Sequence, residues 1–273
     1  MSQMTIEQAL GIAVRHHQAG RLAEASDIYA TILAAEPDQP AALHLLGVAV
    51  HEKGDISRAH GLIARAVALQ PDFTEMHDNL GLVLLDLERL DDAIAAFETA
   101  LALDPDFAAA HGNLGGALHQ KGRLNEALAS HRQAISLAPD TEAFWIGFGA
   151  CVQTMAFDSV DEPLFDDLLA LLQRPWIDPQ SFAPAMLSAL RHHRDIASLL
   201  ASPVAPRDAA LLAAIPLLLR LMALSSLKDL AIEELFTALR FAMLRALNAG
   251  QRDESWLPFA VALAHHCGLA REK

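Results

Sequence analysis

Aromatic residues and cysteines are scarce in this sequence, and their scarcity argues against several kinds of fold. Phe, Trp and Tyr make up 5% of the 273 residues, and the two cysteines, Cys151 and Cys267, lie far apart in the chain. Two such cysteines provide no disulfide framework, so we expect a protein of a reducing compartment. Alanine and leucine are abundant instead, and both favour helices because they lose little side-chain entropy there. The composition therefore predicts an all-α protein.

Basic residues and long apolar runs are also few. Lys and Arg number 20 against 34 Asp and Glu, and the resulting net charge of −14 disfavours nucleic-acid binding because an acidic surface repels phosphates. The longest apolar run, 209–219, contains Pro216 and stops at Arg220, so it is too short to span a membrane. The opening MSQMTIEQAL shows no basic segment followed by an apolar run. We expect a cytoplasmic protein with no membrane insertion.

A unit of 34 residues recurs four times in the first half of the chain. Each copy ends at a proline, has an alanine twelve residues before that proline, and has a small residue twelve residues before that alanine. The prolines are Pro37, Pro71, Pro105 and Pro139; the alanines are Ala25, Ala59, Ala93 and Ala127; the small residues are Ala13, Gly47, Gly81 and Gly115. Agreement at several positions in four copies indicates a repeat architecture.

Each unit has the pattern of two helices joined by a tight turn. Apolar residues recur at spacings of three and four, as at Leu80, Val83 and Leu84. The turn position is occupied by Gly20, Gly54, Glu88 and Gly122. The second helix stops before the proline, which cannot continue a preceding helix. The small residue and the alanine let the two helices approach closely, and neighbouring hairpins must stack because one hairpin cannot cover its own apolar face.

This pattern resembles the tetratricopeptide repeat family in unit length and in the small-residue, alanine and proline positions. The resemblance covers about residues 6–141, and Trp145, Phe148, Gly149 and Val152 continue it into a fifth first helix. It implies a right-handed solenoid of helix-turn-helix units over residues 6–155. The string GNLGG (112–116) then lies inside a helix, and it lacks the Lys and Ser/Thr of a phosphate-binding loop.

Two asparagines recur at one position of the first helices, Asn79 and Asn113, each in the string N-L-G. In the family that the chain resembles, the first helices line a concave face, and asparagines at this position hold a peptide backbone in the repeats of O-linked N-acetylglucosamine transferases. A side-chain amide suits that role because it offers both a donor and an acceptor. Leu45 and Gly147 take this position in the adjacent copies. The alternative is that two solvated asparagines recur through shared ancestry.

Histidines recur on the same helices. His17, His51 and His119 share one position, and His44 and Asp78 share another that we expect on the concave side. These histidines could make the groove sensitive to pH near neutrality, or they are half-buried polar residues of its wall. We expect no metal site, because successive repeats do not bring three ligands together and His265, His266 and Cys267 point in different directions on a helix.

The candidate site that the sequence predicts is a peptide-binding groove without catalytic residues or cofactor. Its residues are Asn79, Asn113, Asp78, Leu82, Gly112, Gly116, His44, His51 and His119. The glycines leave room for a bulky side chain of the ligand or for a close backbone. Asp78 and the acidic composition favour a partner protein or peptide with basic character. Added salt would then weaken the binding.

Residues 156–273 lose the repeat but keep a helical composition. We expect five helices, among them one that begins at Pro179 and a buried one over the apolar segment 208–224. We expect them to form a bundle packed on the end of the array, because Phe144, Trp145 and Phe148 concentrate aromatic surface there. The strings RPWIDPQSFAPAMLSALR, EELFTALR and LPFAVALAHHC faintly resemble a segment of bacterial proteins that join these repeats to a transferase. The sequence thus predicts a non-catalytic scaffold that binds an extended peptide. The alternative is the substrate-recruiting part of a bacterial transferase of protein glycosylation or methylation, with the catalytic domain outside this chain.

Overall fold

The computed structural model describes residues 5–224, 229–251 and 253–271. Every regular element in these ranges is a helix, which confirms the predicted all-α fold. The chain divides into two compact units, Met1–Phe148 and Gly149–Lys273, and the division falls inside a helix. The predicted domain boundary at residue 155 and the packing of the second half on the array stay predictions.

The first unit consists of helix pairs that follow the 34-residue repeat. Its helices are α1 (Ile6–Gln18), α2 (Leu22–Ala35), α3 (Pro40–Glu52), α4 (Ile56–Leu69), α5 (Thr74–Asp86), α6 (Leu90–Leu103), α7 (Ala108–Gln120), α8 (Leu124–Leu137) and the start of α9 (Glu142–Thr154). Each odd-numbered helix from α1 to α7 packs against the next helix, and α2, α4 and α6 each pack against the first helix of the following pair. This is the predicted stack of hairpins.

The turn inside each pair requires a left-handed residue. Gly20, Gly54 and Gly122 have φ angles of 72°, 86° and 79°, a region that glycine enters without steric cost. Glu88 takes the same place in the third pair with φ 58°, although a side chain disfavours that conformation. The glycines predicted as turn markers are confirmed, and Glu88 is a strained substitute.

The small residues of the first helices allow close packing against the second helices. A Cβ atom added to Gly47 would lie 2.5 Å from Cγ1 of Ile63, and one added to Gly81 would lie 2.5 Å from Cε1 of Phe97. The alanines of the second helices are buried, but the side chain that covers each glycine comes from the residue four positions later. One turn further along the helix brings the larger side chain over the glycine.

The second unit contains more helices than the sequence predicts. They are α10 (Glu162–Leu172), α11 (Pro179–Arg191), α12 (Arg194–Leu200), α13 (Asp208–Ala213), α14 (Pro216–Leu224), α15 (Leu230–Asn248), a 3-10 turn (Glu254–Trp256) and α16 (Leu257–Arg271). A single helix was expected over 208–224, but Pro216 starts a new one because proline cannot donate to the preceding turn. The helix expected from Pro179 onwards ends at Arg191, and the side chain of His193 caps α12.

Helix α14 forms the centre of this unit. It packs against α10, α11 and α16, and Leu217, Leu218, Leu221 and Met222 are almost fully buried. The prediction that the apolar segment around Pro216 forms a buried helix is therefore confirmed for α14. Within the described ranges, no helix is both long enough and apolar enough to cross a membrane.

Candidate functional site

The first helices of the repeats form one continuous layer. Helix α1 contacts α3, α3 contacts α5, and α5 contacts α7, whereas the second helices of successive pairs approach one another less closely. The shorter spacing places the first helices on the inner side of the stack. We call the exposed side of this layer the concave face, and the candidate residues lie on the helices that form it.

Two hydrogen bonds connect neighbouring first helices on this layer, and we call them the inner ladder. Asn79 Nδ2 lies 2.8 Å from Nε2 of His44, and Asn113 Nδ2 donates to Oδ1 of Asp78 at 2.9 Å. Each bond joins two residues that are 35 positions apart in the sequence. Since the repeat has 34 residues, the asparagine lies one position further along its first helix than its partner does in the preceding repeat. The next equivalent pair is Gly112 and Gly147, which has no side chains to continue the ladder.

The inner ladder holds both asparagine side chains in one orientation. Asn79 and Asn113 are half-buried, and each uses one N–H of its amide for the bond to the preceding repeat. An amide has two N–H donors and an oxygen acceptor. Within the described residues, the oxygen and the second N–H of each amide make no hydrogen bond to the protein, so they remain available to a ligand.

Burial controls the charge of the two residues that hold these amides. His44 is buried, with 6% of its surface exposed, and burial lowers its pKa while Glu75 opposes that shift. His44 is therefore neutral near pH 7 and accepts the N–H of Asn79 on Nε2. Burial likewise raises the pKa of Asp78; the bond from Asn113 works against this, and Glu75 adds to it. A buried carboxylate beside an exposed one gives the middle of the face a negative potential.

A second set of contacts between repeats lies at the other end of the first helices. His17 Nε2 is 3.1 Å from Oε1 of Glu52, and His51 Nε2 is 2.6 Å from Oδ2 of Asp86. His51 thus contacts the next repeat, as the equivalent His17 does. His119 is half-buried at the same position of α7, and its charge contributes to lowering the pKa of the buried His131.

The three remaining candidates differ in the space around them. Nothing lies within 4 Å of a Cβ added to Gly116, so the expected room is present there. At Gly112 that room is filled: an added Cβ would lie 2.6 Å from Cε1 of Phe144. The expectation of space at Gly112 is wrong because the aromatic ring of the fifth first helix folds over it. Leu82 is half-buried on α5.

A contact between a side-chain ring nitrogen and a proline carbonyl oxygen also recurs in the repeats, and it was not predicted from the sequence. His77 Nε2 and His111 Nε2 each lie 2.8 Å from the carbonyl oxygen of the proline six residues earlier, and Trp145 Nε1 donates to the carbonyl oxygen of Pro139 at 2.8 Å. These side chains satisfy carbonyl groups at the junctions between repeats. The signal in the sequence is a ring N–H six residues after three of the four repeat prolines.

Chemically reactive groups are sparse in the described part of the chain. No group of three His, Cys, Asp or Glu side chains there could hold a metal ion. Burial raises the pKa of the Cys151 thiol to about 11, so the nucleophilic thiolate is not formed near neutral pH. His266 is buried and its Nε2 lies 2.7 Å from Oε1 of Glu233.

Comparisons with known proteins agree with this fold. Two tetratricopeptide repeat models match residues 16–80 and 79–141. No curated protein sequence matches the chain.

Solved structures resemble the chain over about half to two thirds of its length. A structure titled MamA MSR-1 C2 is 23% identical with a TM-score of 0.50, and it covers 61% of this chain and 95% of its own. YrrB, titled a TPR protein with an unusual peptide-binding site, is 18% identical with a TM-score of 0.50, and it covers 61% and 86%. An O-GlcNAc transferase from Thermobaculum terrenum is 33% identical with a TM-score of 0.44 over 49% of this chain and 27% of its own. The repeat pattern, the stacked helix pairs and the matching models together show that residues 16–141 of this chain consist of tetratricopeptide repeats.

Proposed function

We propose that the chain is an interaction scaffold whose concave face binds an extended segment of a partner protein. The observation that carries the proposal is the inner ladder, which orients the amides of Asn79 and Asn113 and leaves an acceptor and a donor free on each. Fixed amides bind a peptide backbone without losing side-chain entropy on binding. The proposed role is one of binding and requires no catalytic group.

The spacing of the two asparagines suits an extended ligand. They lie on α5 and α7, which are neighbouring first helices in contact. Packed helices lie about 8–10 Å apart, and a β-like peptide rises about 3.3 Å per residue. The two amides therefore contact peptide groups about three residues apart.

The surroundings of the amides favour a partner segment with both basic and apolar side chains. Glu75 is exposed one helical turn before Asn79, and Asp78 immediately precedes Asn79 in the sequence. These carboxyl groups attract a Lys or Arg side chain. Gly116 offers open space beside Asn113, and Ile146 on α9 exposes 52% of its surface at the position equivalent to Asp78. These two residues suit an apolar side chain of the ligand.

The fold itself is compatible with this role. YrrB has the same fold and is described by its title as having a peptide-binding site. Its 18% identity concerns the fold alone, so the proposed contacts rest on the residues of this chain.

The test begins by identifying a ligand segment. Replacing Leu82 with a photoreactive residue should cross-link a peptide selected from a displayed library. The same residue in place of Glu98, which is exposed on the second helix α6, serves as the control and should not cross-link. Equal cross-linking from both positions would place the binding surface elsewhere.

The second step measures the affinity of that peptide. The double change Asn79→Ala and Asn113→Ala should weaken binding at least about tenfold, because each amide contributes about 1 kcal/mol through its hydrogen bonds. Asn125→Ala is the matched control, since Asn125 is exposed on α8 away from the first helices. An affinity of the double variant within about twofold of the unmodified chain contradicts the proposal.

A further inference from the structure

The second unit exposes a cluster of large apolar side chains on its last two helices. We call this surface the α15–α16 face, and its ridge consists of Phe241, Leu244, Leu247, Leu257 and Val261. Between 47% and 62% of the surface of each of these side chains is exposed. Contiguous apolar surface of this kind marks an interaction site in soluble proteins.

A groove runs beside this ridge between α15 and α16. Its floor is apolar, with Met243, Ala260 and Leu263 among the lining residues. Arg240 lines the part nearer the middle of α15, and Glu254 lines the part near the 3-10 turn, while Met243, Leu247 and Ala260 border both parts. The surface therefore has a cation at one end, carboxylates at the other and apolar residues between them.

The charged side chains at the two ends of the groove are those of Arg240 and Glu254. Arg240 and Glu254 are both exposed, and neither forms an ion pair with another described residue. The segment around Arg240 is unusually basic for this chain, because residues 235–252 contain three Arg and no Asp or Glu whereas the whole chain has a net charge of −14.

We infer that the α15–α16 face binds a second copy of this chain in a two-fold symmetric dimer. A two-fold axis near Leu247 reverses the direction of the face, so Arg240 of each copy meets Glu254 of the other. The same operation places the ridge of one copy against the groove of the other, since both features lie side by side on one surface. Such self-complementarity is what an isologous interface requires.

Other occupants fit the charges less well. An anionic membrane surface attracts cations along the whole apolar face, but Asp253 and Glu254 border the groove at one end. An acidic partner helix would meet the same two carboxylates. A second copy satisfies both ends at once.

The first experiment measures the molecular mass of the full chain by sedimentation equilibrium over a range of concentrations. We expect a reversible dimer whose dissociation constant rises at least about 30-fold in Leu244→Asp, because a buried hot-spot contact is replaced by a charge. Leu69→Asp is the matched control: Leu69 is exposed to 43%, close to the 47% of Leu244, but lies on α4. A chain that is monomeric at all concentrations, or a dimer that Leu244→Asp leaves intact, overturns the inference.

The second experiment exchanges the charges. Arg240→Glu and Glu254→Arg should each weaken the homodimer, because each places two like-charged pairs in the interface. Mixing the two variants should restore dimerisation to near the unmodified level, since both pairs are then opposite in sign. Because these side chains are exposed, circular dichroism should show unchanged folding. If both variants weaken dimerisation and their mixture does not restore it, the two-fold arrangement is wrong. Binding of the monomer to anionic vesicles through the same face would also overturn it.

Discussion

His131 lies in the core of the repeat array at a position where the other repeats have Tyr29, Ile63 and Phe97. Its surface is 4% exposed, and Nδ1 has no hydrogen-bond partner in the described structure. A Cβ added to Gly115 would lie 2.8 Å from the ring. His131→Phe should therefore stabilise the array, because it removes a buried polar atom from a space that is built for an aromatic ring.

The expected size of this effect depends on pH. Burial, and to a smaller extent His119, lowers the pKa of His131 from 6.5 to about 4. The unfolded chain takes up a proton at a higher pH than the folded chain does. The free energy of unfolding that depends on a neutral His131 is therefore fully present above pH 6.5, and it is lost as the pH falls from 6.5 towards 4. The loss amounts to about 2 kcal/mol at about pH 5 and to about 3 kcal/mol when complete.

His131→Phe should remove this pH-dependent loss of stability and add a gain in stability that does not depend on pH. We expect the free energy of unfolding of His131→Phe to exceed that of the unmodified chain by about 1–3 kcal/mol near pH 7.5, the cost of an unsatisfied buried polar atom. The difference should grow by about 2 kcal/mol at about pH 5. Urea titrations followed by circular dichroism measure both values. His44, whose pKa burial also lowers, is common to both proteins and cancels in the difference.

The reverse change is the matched control. Phe97 covers Gly81 as His131 covers Gly115. Phe97→His should destabilise the array and add a new loss of stability below pH 6.5, in the direction already present at His131. If the stability difference between His131→Phe and the unmodified chain does not change between about pH 7.5 and 5, the assigned protonation state of His131 is wrong.

Further substitutions test the packing, the turns and the face. Gly81→Leu should lower the free energy of unfolding by about 3 kcal/mol, because the new side chain meets Phe97. Gly116→Ala has open space around it and should leave the melting temperature unchanged or raise it. Equal melting temperatures for the two variants would contradict the helix packing. Glu88→Gly should raise the free energy of unfolding by about 0.5–1 kcal/mol by relieving the left-handed backbone, and a loss in urea titrations would show that the turn is not strained. Binding of a selected peptide to the concave face should weaken as salt is added, and anisotropy titrations that show no salt dependence would remove Glu75 from the proposed contacts.

The sequence by itself predicts the helix pairs of the first half. Helix pairing within a repeat depends on residues close in the chain: apolar spacing of three and four, a glycine in the turn and a proline at the end. The structure confirms the turns at Gly20, Gly54 and Gly122 and the burial of Gly47 and Gly81. Recurrence in four copies makes these local signals unambiguous, since chance agreement in one copy does not repeat in the next.

Only the tertiary structure decides how one repeat meets another. The bond of Asn79 to His44 and the ring of Phe144 over Gly112 join residues more than 30 positions apart, and the relative placement of stacked hairpins sets both contacts. The second half has no repeat to amplify weak local signals, so the break before Pro216 and the exposed ridge of α15 and α16 could not be predicted. Local periodicity specifies which face of a helix is apolar, but the packing of the whole unit determines which apolar faces are covered and which remain open to a partner.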